Sequence, residues 1–153
     1  EYFSLTTGEN MKSIKLKRLY KIIIILAALL LLTAAVIWFW PVRLFDAAAD
    51  EVIKIEIFNG NTGKQISIDD RHEIERIAGN LNTVYLRRKL SFGRYVGFNL
   101  DTNIYMKDGS MHGCIINSDK NVVYGKYRNA VYTGTIEYDY LQSLFDNPEY
   151  LVG

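Results

Sequence analysis

Residues 21–43 read KIIIILAALLLLTAAVIWFWPVR, and no other feature constrains the fold of this chain so tightly. A helix rises about 1.5 Å per residue, so crossing a hydrocarbon core takes roughly 20 apolar residues. Ile22 to Trp40 supplies nineteen without a charge, and its one hydroxyl, on Thr33, can bond back to a carbonyl of the same helix. Lys12, Lys15, Lys17, Arg18 and Lys21 precede the run, and Trp38, Phe39 and Trp40 close it. Basic residues stay on the cytoplasmic side and indoles favour the interface, so the expected topology is a single pass with the N-terminus in the cytoplasm. Pro41 lacks the amide hydrogen that a further turn would use, so the helix should end there.

Two competing readings explain less. A core helix of a soluble protein is usually shorter and rarely apolar on every face. A secretory signal cleaved after Ala49, at Ala47-Ala48-Ala49, would have an apolar run of roughly 7 to 15 residues with the small residues close behind it. Here the run is longer and the alanines lie well beyond it, which favours a retained anchor. The only cysteine, Cys114, is far downstream, so no acyl-accepting cysteine follows the apolar run. Residues 1–10 precede Met11, a natural start, and are set aside from the fold argument.

The expected organisation is a basic cytoplasmic segment over 1–21, a membrane helix over 22–40, a linker over 41–50, one domain over 51–147 and a tail over 148–153. About 110 residues suffice for one small domain with one core. Counted from Arg43 onward there are thirteen Lys plus Arg and fifteen Asp plus Glu, a net of −2 where the whole chain carries +1. The basic excess thus belongs to the membrane-orienting segment, and nothing in the domain's charge points to nucleic acid. One cysteine makes no internal disulfide; an exported domain of this kind relies on packing, as bacterial surface proteins commonly do. Cys114, in a Cys-Ile-Ile run, reads as a buried side chain rather than a nucleophile.

Ile53, Ile55 and Ile57 alternate with Val52, Lys54, Glu56 and Phe58, the period of a half-buried strand. Asn59-Gly-Asn-Thr-Gly63 turns the chain into a second strand, Gln65 to Ile68. Asp70 stands three residues before Glu73, an acidic capping box, ahead of Ile74, Ile77, Ala78 and Leu81 at helical spacing. The spacing predicts a helix over 71–81, stopped near Gly79 and Asn80. Strands follow over 83–89, over 95–107 after a loop around Ser91-Phe-Gly93, and over 110–117 after the Asp108-Gly109 hairpin turn. Two more are expected over 122–126 and 130–136, and Tyr138, Leu141, Leu144 and Phe145 fit a short terminal helix. The predicted class is therefore α+β: an N-terminal transmembrane helix, then a two-layer domain with an antiparallel sheet and one or two helices, in the order β-β-α-β-β-β-β-β-α.

Signals for catalysis are sparse. His72 and His112 have no metal-ligand spacing, and there is no G-x-S-x-G, phosphate-binding glycine loop or H-E-x-x-H. The carboxylate pairs Asp69-Asp70 and Glu73-Glu75 are accounted for by capping and by a solvated helix face. Gly97, Gly113 and Gly125 read as bulges or crowded backbone. The expectation is a non-enzyme without metal or cofactor. Candidate contact residues are Tyr124, Tyr127, Tyr132, Tyr138 and Tyr140, five of eleven tyrosines, whose rings pair a rigid apolar face with a hydrogen-bonding tip. Strand propensity alone also enriches tyrosine. Arg87, Arg88 and Lys89, with Arg94 nearby, form the one dense basic cluster outside the membrane segment. Alternation sends Arg87 and Lys89 to one face and Arg88 to the other; such charge guards an edge strand or meets anionic headgroups or wall polymer.

The basic start and single span, followed by V-I-K-I-E-I, N-T-G-K-Q-I-S-I-D-D, I-E-R-I-A-G-N-L and I-Y-M-K-D-G-S, resemble the small membrane-anchored or lipoprotein domains of Gram-positive bacteria, a class without an assigned activity. The resemblance covers residues 52–146 and implies an extracytoplasmic α+β domain; it carries over no functional residues. The expected role is binding of a protein or cell-envelope partner by the outward domain. The alternatives are an immunity or regulatory subunit acting through its membrane helix and, from a different class, a surface hydrolase or metal-dependent enzyme. Ala27-Ala28 and Ala34-Ala35 allow close helix approach but make no G-x-x-x-G motif.

Overall fold

A computed structural model describes residues 3–89 and 99–152, and the chain divides into two compact units, 1–39 and 40–153. The first contains α1, Phe3–Trp38. Leu16–Trp38 of α1 is long and apolar enough to cross a membrane, with mean hydropathy 2.6 and none of its apolar window buried. Thr33 Oγ1 donates to the carbonyl of Leu29 at 2.8 Å, so the hydroxyl of Thr33 is satisfied inside the helix. The helix stops at Trp38, two residues earlier than the apolar run, because Pro41 disfavours helical backbone at the residue before it and clashes with the carbonyl four residues back.

The second unit is an α+β domain of two layers. Its strands are β1 (Val42–Arg43), β2 (Val52–Asn59), β3 (Gln65–Ile68), β4 (Tyr85–Arg88), β5 (Leu100–Met106), β6 (Met111–Ser118), β7 (Asn121–Tyr124) and β8 (Tyr127–Thr133). They form one antiparallel sheet in the order β1-β4-β8-β7-β6-β5-β2-β3. Two helices complete the domain, α2 (Arg71–Asn82) and α3 (Tyr138–Ser143), the latter running into a 3-10 turn over Leu144–Asp146.

One face of the sheet meets the helices. Ile55, Ile57, Ile66, Ile68, Leu86, Leu100, Ile104 and Ile116 are buried there. They pack with Ile74, Ile77, Ala78 and Leu81 of α2, with Leu141, Leu144 and Phe145 from the end of the chain, and with Leu44 and Phe45, which follow β1. At roughly 25 cal/mol per Å² of apolar surface removed from water, burying a side chain of this size contributes about 1.5–3 kcal/mol.

The α2 start follows the capping expectation in part. Asp70 Oδ1 accepts from the backbone N–H of Glu73 at 2.9 Å, but the Glu73 carboxylate is taken by the hydroxyl of Tyr140 instead of reaching back to the cap. Gly79 and Asn80 do not end α2; Leu81 behind them is buried, and its packing carries the helix to Asn82.

Four other expectations are corrected. Ile53 points outward, 52% exposed, while Val52 is buried. The β2–β5 register shifts between Val52 and Lys54, and that bulge breaks the two-residue period at its first member. The last two strands end earlier than 126 and 136. Gly125 has φ +59 and turns β7 into β8, and Gly134, φ +83, terminates β8. Strand β4 begins at Tyr85, since Thr83 caps α2. Strand β1 and the pairing of the tail with β3, through Ile66 and Leu151, had no pattern long enough to read. The loop around Ser91-Phe-Gly93, the 95–98 end of the fourth expected strand, Arg94 and Gly97 lie outside the described residues.

Candidate functional site

Among the described residues of the second unit, no helix lies on the other face of the sheet. Alternation from the buried positions assigns its residues: Arg43 on β1, Tyr85 and Arg87 on β4, Arg128 and Tyr132 on β8, Val123 on β7, Ile115 on β6, Asp101, Asn103 and Tyr105 on β5, and Lys54, Glu56 and Phe58 on β2. Most are half-buried by their neighbours in the sheet, and so present a continuous surface of rings and charges rather than isolated side chains.

Two polar clusters stand at opposite ends of this face. Near β2 and β5, Glu56 accepts from Lys54 Nζ at 2.7 Å and from the Tyr105 hydroxyl at 2.8 Å. These bonds, Lys54 first, hold the Glu56 carboxyl below the usual glutamate range. Lys54 also stands 4.6 Å from the centroid of the Tyr105 ring. At the other end, Arg43 Nη2 donates to the Tyr85 hydroxyl at 2.8 Å and Nη1 pairs with Asp46 at 2.5 Å. The Arg87 guanidinium lies 3.9 Å from the Tyr132 ring centroid, and Lys89 Nζ donates to the Asn121 side-chain oxygen at 2.6 Å. Trp40, Pro41, Tyr85, Tyr132 and Thr133 line a shallow groove of about 300 Å³ beside them.

The structure brings together Arg87, Lys89 and Tyr132 and separates the other candidates. Arg88 turns to the opposite face, where its guanidinium is 4.3 Å from the Tyr127 ring centroid. Tyr124 is half-buried against the core with Phe45, His112 and Cys114. Tyr138 and Tyr140 belong to α3. The Tyr140 ring receives the Arg76 guanidinium at 3.4 Å and its hydroxyl donates to Glu73, so Tyr140 ties α3 to α2. The Tyr138 hydroxyl accepts from Gln142 Nε2 at 2.8 Å. Five tyrosines close in sequence are thus distributed over both faces, because strands alternate and α3 lies on the helical side.

Tyr85, Tyr105, Phe58 and Trp40 escaped the sequence-based selection of contact residues. The available signal was strand parity, which groups Tyr85 with Arg87 and Tyr105 with Asn103; what was missing was the pairing of β4 with β8 across about forty residues.

Among the described residues no three His, Cys, Asp or Glu side chains are placed to share a metal ion. His112 sits edge-on to Phe45, with ring centroids 5.7 Å apart, and His72 is exposed in the first turn of α2. Cys114 is enclosed in the core, and burial, with a smaller effect from Asp101, pushes its thiol up to about 12, leaving it protonated. Comparison with known protein families, with characterised proteins and with solved structures finds no match.

Proposed function

We propose that this chain is a single-pass protein of a bacterial cytoplasmic membrane, with its N-terminus in the cytoplasm, whose outward domain binds a protein or cell-envelope partner and performs no catalysis. The observation that carries the reading is the sheet face that no helix of the domain covers among the described residues, in a domain that follows a membrane-length apolar helix. Rings with polar tips, Tyr105 and Tyr132, alternate there with small apolar side chains, Ile115 and Val123, and with charges at either end, a composition suited to recognition. The basic residues before the span support the orientation.

Photo-crosslinking in intact cells of the host tests it. A photoreactive residue at Val123 or Ile115 of the full-length chain is expected to trap a partner, and the double substitution Phe58→Ala, Tyr105→Ala to reduce the yield severalfold. The same probe at His72, on the opposite layer, should trap none. Adducts from the His72 position alone would overturn the open-face reading. Capture of the same partner by a chain lacking residues 50–153 would move recognition into the membrane helix, and replacing the span with polyleucine of equal length would then abolish it.

A further inference from the structure

We propose that the β1-β4-β8 end of the open face docks on the surface of a bilayer containing anionic phospholipid, leaving the β5-β2 end free for the partner. The inference rests on the anchor assigned above but not on the identity of the partner.

Three observations lead there. The first is reach. Only residues 39–41 separate the last helical residue, Trp38, from the first strand residue, Val42, and at roughly 3.3–3.6 Å per extended residue they span no more than about 14 Å. In a chain held by α1, strand β1 therefore stays within about one to two screening lengths of the membrane surface at physiological salt. The second is the chemistry of the groove. Trp40 is 66% exposed and Tyr132 51%, and indole and phenol rings with a polar tip partition to the headgroup layer. A shallow apolar slot lined by Trp40, Pro41, Tyr85 and Tyr132 has the character of an interfacial contact rather than of a closed ligand pocket.

The third is charge. Among the described residues, Arg43, Arg87 and Lys89 occupy this end of the face, and Arg43 engages the carboxylate of Asp46. Arg87 meets a ring and Lys89 an amide oxygen, so among the described residues neither cation is paired with a carboxylate. Glu56 and Asp101 lie toward the other end, beyond β7 and β6. A face cationic beside the tether and anionic away from it is attracted to an anionic leaflet at one end only, by about 1 kcal/mol for each cation near the surface.

The test uses the full-length protein in nanodiscs of phosphatidylcholine, alone or mixed with phosphatidylglycerol. A nitroxide is placed on Thr133→Cys, in the groove, or on Ser110→Cys, in the β5–β6 turn; buried Cys114 is spared. Collision with lipid-soluble oxygen and with a water-soluble nickel chelate reports where each label sits. The Thr133 label is expected to move toward lipid in phosphatidylglycerol discs and to return to water at high salt, with the Ser110 label in water throughout. Arg87→Gln and Lys89→Gln should each lower the docked fraction relative to the undocked about fivefold. A Thr133 label equally aqueous in both discs would overturn the docking while leaving partner binding intact. A label equally lipid-exposed in both would show that rings alone drive contact and overturn the anionic requirement. Shielding that appears only when soluble polyphosphate is added to phosphatidylcholine discs would reassign the surface to a wall polymer. A chain that fails to enter discs at all would overturn the anchor and the docking together.

Discussion

Glu56 is placed between its two donors by strand register alone. Lys54 is two residues back on β2, and Tyr105 reaches across from β5, where Lys54 and Tyr105 are directly paired. A carboxyl held below its ordinary pKa in the folded state contributes stability that is complete above the unfolded value, about 4.3, and is lost as pH falls through the lower folded one. Glu56→Gln removes this contribution. Its denaturant midpoint should therefore decline less steeply than that of the parent as pH is lowered from about 4.3, with the two curves parallel at neutral pH. Identical acid slopes would show that the Lys54–Glu56–Tyr105 cluster adds nothing to folding. Gly134 is constrained differently: with φ +83, a Cβ there would lie 2.5 Å from the carbonyl oxygen of Thr83. Positive φ and overlap with fixed backbone each cost about 1–3 kcal/mol, so Gly134→Ala should destabilise the domain by about 2–4 kcal/mol in chemical denaturation. A change under about 0.5 kcal/mol, the usual scale of a surface substitution, would contradict that placement.

Among the elements, those governed by neighbours in sequence were legible. Asp70 caps α2 because the cap bond is local, and the Asp108-Gly109 turn joins β5 to β6 because its geometry needs only adjacent residues. The elements that escaped depend on distant partners. Strand β1 is two residues, which no periodicity can mark, and exists because β4 offers Tyr85 and Leu86 as partners. Parity was read correctly for Ile55 and Ile57 and failed at Ile53, where the bulge opposite Met106 and Tyr105 inserts a residue. The tail is the other such element. The Ser67 N–H donates to the Tyr150 carbonyl at 2.8 Å and the Val152 N–H to the Gln65 carbonyl at 3.0 Å, so residues 150–152 cover the outer edge of β3. Deleting residues 149–153 uncovers a row of unpaired donors and acceptors, a template for a second chain. Such a truncation is expected to self-associate with rising concentration by light scattering; a form that stays as dispersed as the parent would show that β3 needs no cover.

At the scale of the whole molecule, the division into an apolar helix and an α+β domain followed from hydrocarbon thickness and from strand and helix periods, both of which act on long stretches of sequence. The open face did not follow from the sequence. Arg87 and Tyr132 are separated by 45 positions and meet only because β4 pairs with β8. Clustering along the chain proved a poor guide to clustering in space for the tyrosines, and a fair one for Arg87 and Lys89, which share a strand face two residues apart.

The sheet order has a consequence for how the chain matures. Strand β1 is bonded to β4, and β4 on its other side to β8, the last strand to be synthesised. A ribosome delivers α1 first, yet the backbone just behind it has no lasting place until residue 127 and its successors have emerged. Chains interrupted before that point keep the apolar helix but lack the strand that secures β4, and with it β1. The β1–β4 seam therefore becomes secure only after β8 has been made, and a stable seam reports that synthesis has passed that strand.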